Sequence, residues 1–306
     1  MQLSLSNISV VLASFNGVEY IEQQINSILL QNVLPSEIII CDDGSTDGTI
    51  NVLNKFKQHD IIKLYSNKER LGIAENFKKA VSLANPNNYI AFCDQDDIWL
   101  PNKLDRTLKE IKVLETNNPT MPCLVYSNLI FVNKEGHTIN MSFYDQMGLN
   151  KFEHCFETAL FGSLLLGCTI LINSKMRVHF LNMPSSKLFY HDAWLALIGF
   201  GIGKVQFIKE PLVKYRLHNN NASIQNYKAR NRILNAFNHI AKSFLKTNYL
   251  FNEIALAKTF KNNYYDLLSP NQQSVLANFL SLDNKYYIQK KWAFEKAFKN
   301  KWIQRF

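Results

Sequence analysis

Tyr89-Ile90-Ala91-Phe92-Cys93-Asp94-Gln95-Asp96-Asp97-Ile98-Trp99 runs a short apolar segment directly into three carboxylates within four positions. Residues 89–93 have the length and side chains of a buried strand. The carboxylates cannot follow them into a core, because burying an unpaired charge is too costly. Glu37–Cys41 repeats the pattern, ending in Asp42-Asp43-Gly44-Ser45-Thr46-Asp47-Gly48-Thr49. Further strands are expected at Ile8–Ala13 and Ile61–Tyr65. Between them, apolar residues recur at helical spacing: Ile21, Ile25, Ile28 and Leu29; Ile50, Leu53 and Phe56; Phe77, Ala80, Val81 and Ala84. Pro101 opens a further helix with Leu104, Leu108 and Ile111 on one face. Alternating strands and helices imply an α/β sheet, mainly parallel and flanked by helices. Ligands of such sheets bind beyond the carboxyl ends of the strands.

Working outward, residues 116–224 are mixed, with strands expected at Cys123–Val132, Cys168–Ile172 and Val205–Ile208 and a helix after His191. The apolar run Ala159–Ile172 is broken by Gly162, Ser163, Gly167 and Thr169, and is too short to span a bilayer. A buried strand with its flanking turn fits it better. After Asn226 helices are expected near 227–246, 251–267, 270–280 and 285–305. The chain thus divides into residues 1–115, 116–224 and a tail, 225–306.

The 306 residues carry 34 Lys+Arg against 25 Asp+Glu, a formal charge of +9. The excess is not spread evenly. Residues 225–306 hold 14 basic and four acidic side chains, so the body is close to neutral. No helix-turn-helix, RNP or KH pattern accompanies the basic tail, which argues against nucleic acid. It reads instead as helices packed on the body or lying on an anionic membrane surface, with Lys290, Lys291, Lys296, Lys299 and Lys301 outward and Trp292, Phe294, Phe298 and Trp302 dipping in. Five cysteines without CxxC or zinc spacing point to free thiols in a reducing compartment, and MQLSLSNISV lacks the features of a signal peptide. A cytoplasmic protein is expected.

The acidic clusters carry the chemistry. Asp94 and Asp96 alternate to one face of an extended segment, where both can approach a hard cation such as Mn²⁺ or Mg²⁺. The plainer reading is a solvated turn in which Asp97 caps the next helix. Asp42 and Asp43 can accept the ring N–H of uracil or thymine, or a ribose hydroxyl; Thr46, Asp47 and Gly48 suit a turn and a helix cap.

Ala13-Ser14-Phe15-Asn16, CDDGSTDGT, Asn67…Gly72…Asn76 and DQDDIWLPNKL, in this order, resemble the family 2 glycosyltransferases, and the resemblance covers roughly the first 220 residues. It implies a GT-A fold with a C-terminal helical extension. DQDDIW with a downstream HDxW is most similar to bacterial rhamnosyltransferase-type enzymes of surface-polysaccharide assembly. The resemblance places Ala13, Ser14, Asn16, Asp42, Asp43, Arg70, Asp94 and Gln95 around a nucleotide-sugar such as dTDP-rhamnose or a UDP-hexose. Arg70 reads equally well as a solvated loop residue. Asp94, Asp96 and His218 are the implied metal ligands. Asp192 of His191-Asp192-Ala193-Trp194 falls on the base position, where partial burial beside Trp194 would raise its pKa, and it can also cap the following helix. Asp97, Trp99, His191, Trp194 and Arg216 are expected near the diphosphate or the acceptor, an oligosaccharide or lipid-linked glycan on the inner membrane face. For His218 and Arg216 a solvated loop is an equal alternative.

Rivals fit less well. A dinucleotide oxidoreductase needs GxGxxG after strand one, where Ser14-Phe15-Asn16-Gly17 stands instead. An aspartyl-nucleophile phosphatase would carry DxD after its first strand. A non-catalytic carbohydrate- or membrane-binding module would not need Asp43, Asp94, Asp96 and Asp192 together.

Overall fold

The computed structural model describes residues 5–140, 142–162, 164–185, 190–218 and 249–299. The chain runs β1 (Leu5–Ser14), α1 (Ile21–Leu29), β2 (Leu34–Asp42), α2 (Thr49–Lys55), β3 (Ile62–Ser66), α3 (Ile73–Leu83), β4 (Tyr89–Cys93), β5 (Ile98–Trp99) and α4 (Lys103–Asn117). There follow β6 (Cys123–Val132), β7 (Thr138–Asn140), α5 (Phe143–Gln146), α6 (Phe156–Ala159), β8 (Leu171–Ile172), α7 (Ser174–Leu181), α8 (His191–Ile202) and β9 (Lys204–Arg216). Three further helices are α9 (Phe251–Tyr264), α10 (Pro270–Leu280) and α11 (Tyr287–Lys299).

All the strands join one mixed sheet in the order β3-β2-β1-β4-β8-β6-β9-β5, with β7 also on β6. The β1–β2, β1–β4, β2–β3 and β6–β9 ladders are parallel. Only residues 94–97 separate β4 from β5, although three strands lie between them in the sheet. An extended tetrapeptide spans about 13 Å, so the sheet must curl for so short a link to reach its far edge. Register sets the functional edge: Ser14 lies opposite Asp42, and Leu12 opposite Cys93. The carboxyl ends of β1, β2 and β4 therefore finish together.

The helical spacing translates into packing. Ile21, Ile25 and Ile28 of α1 and Phe77, Ala80 and Val81 of α3 are buried in one common core, α3 against β1 and β2 and α1 beside β5 and α2. Each large aliphatic side chain so buried contributes about 1.5–3 kcal/mol. The run Ala159–Ile172 departs from expectation. It forms a strand only at Leu171–Ile172, preceded by a 3-10 turn over Gly167–Thr169. Gly162, at φ 137°, takes a backbone conformation that other residues avoid and follows α6 by three residues. Likewise α4 begins at Lys103, two residues after Pro101.

The C-terminal helices dock on the body. Phe260 of α9 meets Phe156 and Trp194, with centroids 5.6 and 6.4 Å apart, and Phe298 of α11 meets Phe152 at 4.5 Å. Phe294 and Phe298 also pack on Phe161, and Lys290 is buried with its ammonium on the Tyr249 carbonyl. The expected outward and dipping sets are corrected accordingly, because aromatic contacts with the body take Phe294 and Phe298. Trp292 stays exposed, whereas Lys301, Trp302 and the helix expected near 227–246 lie outside the described residues. No helix of the described residues is long and apolar enough to cross a membrane.

Arg177 ties α7 to the end of α3. Its guanidinium donates to the carbonyls of Val81, Ala84 and Asn85 at the end of α3, at 2.7–2.8 Å. Arg177→Met leaves these acceptors without their cation and is expected to cost about 2–4 kcal/mol, read as a lower urea midpoint at unchanged m.

Candidate active site

The cleft of about 290 Å³ opens where β1, β2 and β4 end, and reaches across to the start of α8. Asp43 forms one wall. Its Oδ1 accepts from Asn67 Nδ2 (2.8 Å) and Leu71 N (2.7 Å), and its Oδ2 accepts from Gly72 N (2.8 Å). Gly72 has φ 85°, a conformation that glycine adopts without strain and that turns its N–H toward the carboxylate. Asn67 also donates to Asn76, which in turn donates to the Cys41 carbonyl. A loop after β3 is thus pinned to the end of β2.

A second clamp joins β1 to β4. Gln95 accepts from Phe15 N (2.8 Å) and donates to Phe15 O (3.0 Å). Arg70 stacks its guanidinium 3.8 Å from the centre of the Phe15 ring, so this loop arginine faces the cleft. Ala13 and Ser14 also line it. Asn16 and Asp42 do not. Asn16, at φ 48°, is exposed and accepts from Thr46 N, while Asp42 is buried under bonds from Ser14 Oγ, Ser45 N and Ser45 Oγ. Both brace the loops that carry the lining residues.

The acidic segment divides by depth. Asp94 and Asp96 line the cleft, and Asp97 points beneath it, fully buried. Asp96 Oδ2 lies 2.8 Å from His218 Nε2. Burial, then the neighbouring Asp96 and Asp192, raises the Asp94 pKa. A cation relieves that repulsion. Hard carboxylate oxygens with one imidazole suit Mn²⁺ or Mg²⁺, which Asp94, Asp96 and His218 could hold. Among the described residues, the His, Cys and acidic side chains that bring one potential ligand atom each within 4.8 Å of one another are a different set, Asp94, Asp97 and Cys168. Burial keeps the Cys168 thiol protonated, which makes it a poor ligand. Arg216, expected at the diphosphate, is buried instead. Its guanidinium donates to the carbonyls of Asp96 (2.9 Å) and Lys134 and to Gln23 Oε1. It supports the loop from behind.

Across the cleft, α8 begins at His191, so Asp192 sits in its first turn and not at its cap. Asp192 accepts from Ala193 N at 2.7 Å, and burial pushes its carboxyl up to about 6. His191 lines the cleft between Phe77 (4.3 Å) and Phe92 (5.3 Å), and among the described residues neither ring nitrogen has a hydrogen-bond partner. Burial pulls it down to about 3, so it is neutral. Trp194 turns the other way: its indole N–H donates to the His179 carbonyl and its rings face Phe260 and Tyr264. Trp99 is buried below the loop with the Lys103 ammonium over its ring. Neither tryptophan lines the cleft, because helical and pleat periodicity point both into the core.

A family model described as glycosyl transferase family 2 matches residues 9–166, which include every acidic cluster except the Asp192 segment. The chain belongs to glycosyltransferase family 2. It is 28% identical over 255 residues to the putative teichuronic acid biosynthesis glycosyltransferase TuaG of Bacillus subtilis, covering 81% of this chain and 94% of that one. It is 29% identical over 222 residues to the dTDP-rhamnosyl transferase RfbG of Shigella flexneri, covering 69% and 72%. Among solved structures, residues 1–349 of S. aureus TarS in complex with UDP-GlcNAc superimpose with TM-score 0.59 at 14% identity, covering 95% of this chain and 79% of that one. The mannosyltransferase PcManGT of Pyrobaculum calidifontis, in complex with GDP-Man and Mn²⁺, gives 0.55 at 17%, covering 95% and 72%. The fold is GT-A, and the protein is a glycosyltransferase.

This family 2 cleft also contains residues with no signal in the sequence. Leu166, Gly167, Cys168 and Tyr190 line it from segments that read as ordinary core or loop. Gly167 is the sharpest case. A Cβ there would stand 2.5 Å from His191 Nε2, inside a ring already enclosed by Phe77, Phe92 and Phe180. Gly167→Ala is therefore expected to destabilise the fold by about 1–3 kcal/mol, measurable by urea unfolding.

Proposed function

We propose that the protein is an inverting, metal-dependent transferase that moves a sugar from dTDP-rhamnose or a UDP-hexose to a hydroxyl of a growing, lipid-linked surface polysaccharide. The observation that carries this reading is one cleft lined by Asp43, Asp94, Asp96 and Asp192 together. Residues 1–115 serve the donor, residues 116–224 the acceptor, and residues 225–306 are an accessory tail. The likeness to a dTDP-rhamnosyl transferase and to a teichuronic acid enzyme supports the substrate class.

Each group has a task that its surroundings suit. Asp43 Oδ2 accepts one backbone bond and keeps a lone pair for the ring N–H of a uracil or thymine. Arg70 and Phe15 form a cationic, flat platform beside it. Asp94, Asp96 and His218 would hold the cation, which when bound offsets negative charge on the diphosphate. Asp192 takes the proton from the acceptor hydroxyl. That oxygen then bonds to the anomeric carbon as the bond to the diphosphate breaks on the opposite face, which inverts the configuration.

Asp192 is ionised, and active as a base, above about pH 6. With Mn²⁺ and a uridine or thymidine diphosphosugar, kcat/KM is expected to fall about tenfold per unit below pH 6. Asp192→Asn is expected to lose about 10²–10⁴-fold in kcat while still being stabilised by the donor in thermal shift. Stabilisation by no uridine or thymidine diphosphosugar defeats the donor assignment. Full activity in Asp192→Asn defeats the base assignment.

The tail suits peripheral contact with an anionic membrane. Trp292, Tyr286 and Ile288 are 64%, 49% and 47% exposed, and Lys285 and Lys291 share a groove with Trp292 and Ile288. An apolar tip flanked by ammonium groups is the chemistry of an interfacial anchor. Sedimentation with vesicles containing phosphatidylglycerol is expected, weakened by salt and by Trp292→Ala. Equal sedimentation of that variant removes the patch from the contact.

A further inference from the structure

A second hollow lies apart from the cleft and shares none of its lining residues. It holds about 440 Å³ beside the β6–β9 ladder, and all its walls come from residues 126–209, within the acceptor half. Tyr126 stands opposite Phe207 in that ladder, and Tyr215, which lines the cleft, follows eight residues later on β9. Those two positions are roughly 25 Å apart along the strand. A smaller hollow of about 260 Å³ shares His154 and Phe200 and continues toward Asn271 of α10, so the two form one groove.

The floor of the groove is aromatic and fixed. The Phe207 ring lies 4.9 Å from Tyr126 and 4.6 Å from Tyr144, and the Tyr144 hydroxyl donates to the Leu164 carbonyl (2.7 Å). His154 is held at both nitrogens, Nδ1 by the Tyr126 hydroxyl at 2.5 Å and Nε2 by the Leu149 carbonyl at 2.8 Å. A carbonyl only accepts, so Nε2 carries the ring proton. Tyr126 and Tyr144 are buried as backing, whereas Phe152, His154, Phe200 and Phe207 are half-buried where they line the groove.

The rim is polar: Asp145, Asn150, Glu153 and Lys209 are exposed along it, two carboxylates, an amide and one ammonium. This pattern separates ligand classes. Two carboxylates against one ammonium repel a phosphate or any other anion. An apolar wall with a few convergent polar groups instead suits an uncharged ligand. A pyranose matches both parts. Its C–H face lies flat on an aromatic ring, and its hydroxyls donate to carboxylates and exchange hydrogen bonds with amides. A long, open groove suits a chain of such rings better than a single one.

We propose that this groove binds a neutral stretch of oligosaccharide, part of the acceptor chain lying away from the hydroxyl that reacts. That the bound glycan is the acceptor rests on the proposed function. That the groove binds a glycan rests on its own geometry and on membership of a glycosyltransferase family.

The test titrates the full chain with neutral hexasaccharides of glucose, galactose, mannose and rhamnose, read by saturation-transfer NMR and calorimetry. At least one is expected to bind, and its disaccharide more weakly. Asp145 and Asn150 are hydrogen-bonded to each other, so Asp145→Ala/Asn150→Ala removes both without stranding either. This double variant is expected to keep the wild-type Tm and to weaken hexasaccharide binding at least fivefold, whereas Asp192→Asn in the cleft leaves that binding unchanged. Binding of no hexasaccharide overturns the proposal. So does equal binding by the double variant, or weakening by Asp192→Asn alone, which places the sugar in the cleft. Donor binding is followed by thermal shift on the same samples. Hexasaccharide binding without any donor response keeps the groove and removes its acceptor role; donor response without hexasaccharide binding removes the groove alone.

Discussion

Gathering negative charge at one edge of a sheet is the constraint around which this molecule is built. Asp94, Asp96, Asp97 and Asp192 converge where β4 ends and α8 begins, and burial, with neighbouring carboxylates added to it, raises the affinity of Asp94 and Asp97 for protons. The surrounding structure answers each of them differently. His218 meets Asp96, and the Arg216 amide meets Asp97. Asp94, on the cleft wall, lies in the field of the Asp96 and Asp192 carboxylates, which suits a site for a cation.

The donor end follows a different logic. Asp43 is surrounded by neutral donors and serves as a fastener, gathering Asn67, Leu71 and Gly72 into one loop while presenting an oxygen to the cleft. Gln95 does the same between β1 and β4. In both places the group that faces the cleft also holds the backbone that forms it. Rigidity and recognition therefore share the same atoms, as accurate positioning of a reacting bond requires.

Much of this was legible in the residue order, because strand-to-carboxylate junctions have few physical explanations. Cys41-Asp42-Asp43 and Cys93-Asp94-Gln95-Asp96 named the edge of the sheet at which the cleft opens, and the helical spacings named the packing faces. Roles that depend on which way a side chain turns were less legible. Asp42 and Asp43 are adjacent and chemically identical, yet one is covered by serines and the other lines the cleft. Trp99, Trp194 and Arg216 lie within motifs rich in site residues but point into the core or behind the loop.

The sequence by itself determined an α/β sheet, its acidic edge, a family and a separate basic tail, since these follow from local periodicity and from the cost of burying charge. Only the tertiary structure decided which carboxylates share a cleft. It also decided that Leu166, Gly167 and Cys168 wall it, that α11 turns Phe294 and Phe298 onto the body, and that Lys103 is buried with its ammonium over the Trp99 ring. Those outcomes depend on contacts between segments far apart in the chain, where the curl of the sheet and the direction of each side chain choose among neighbours that composition and spacing leave equivalent.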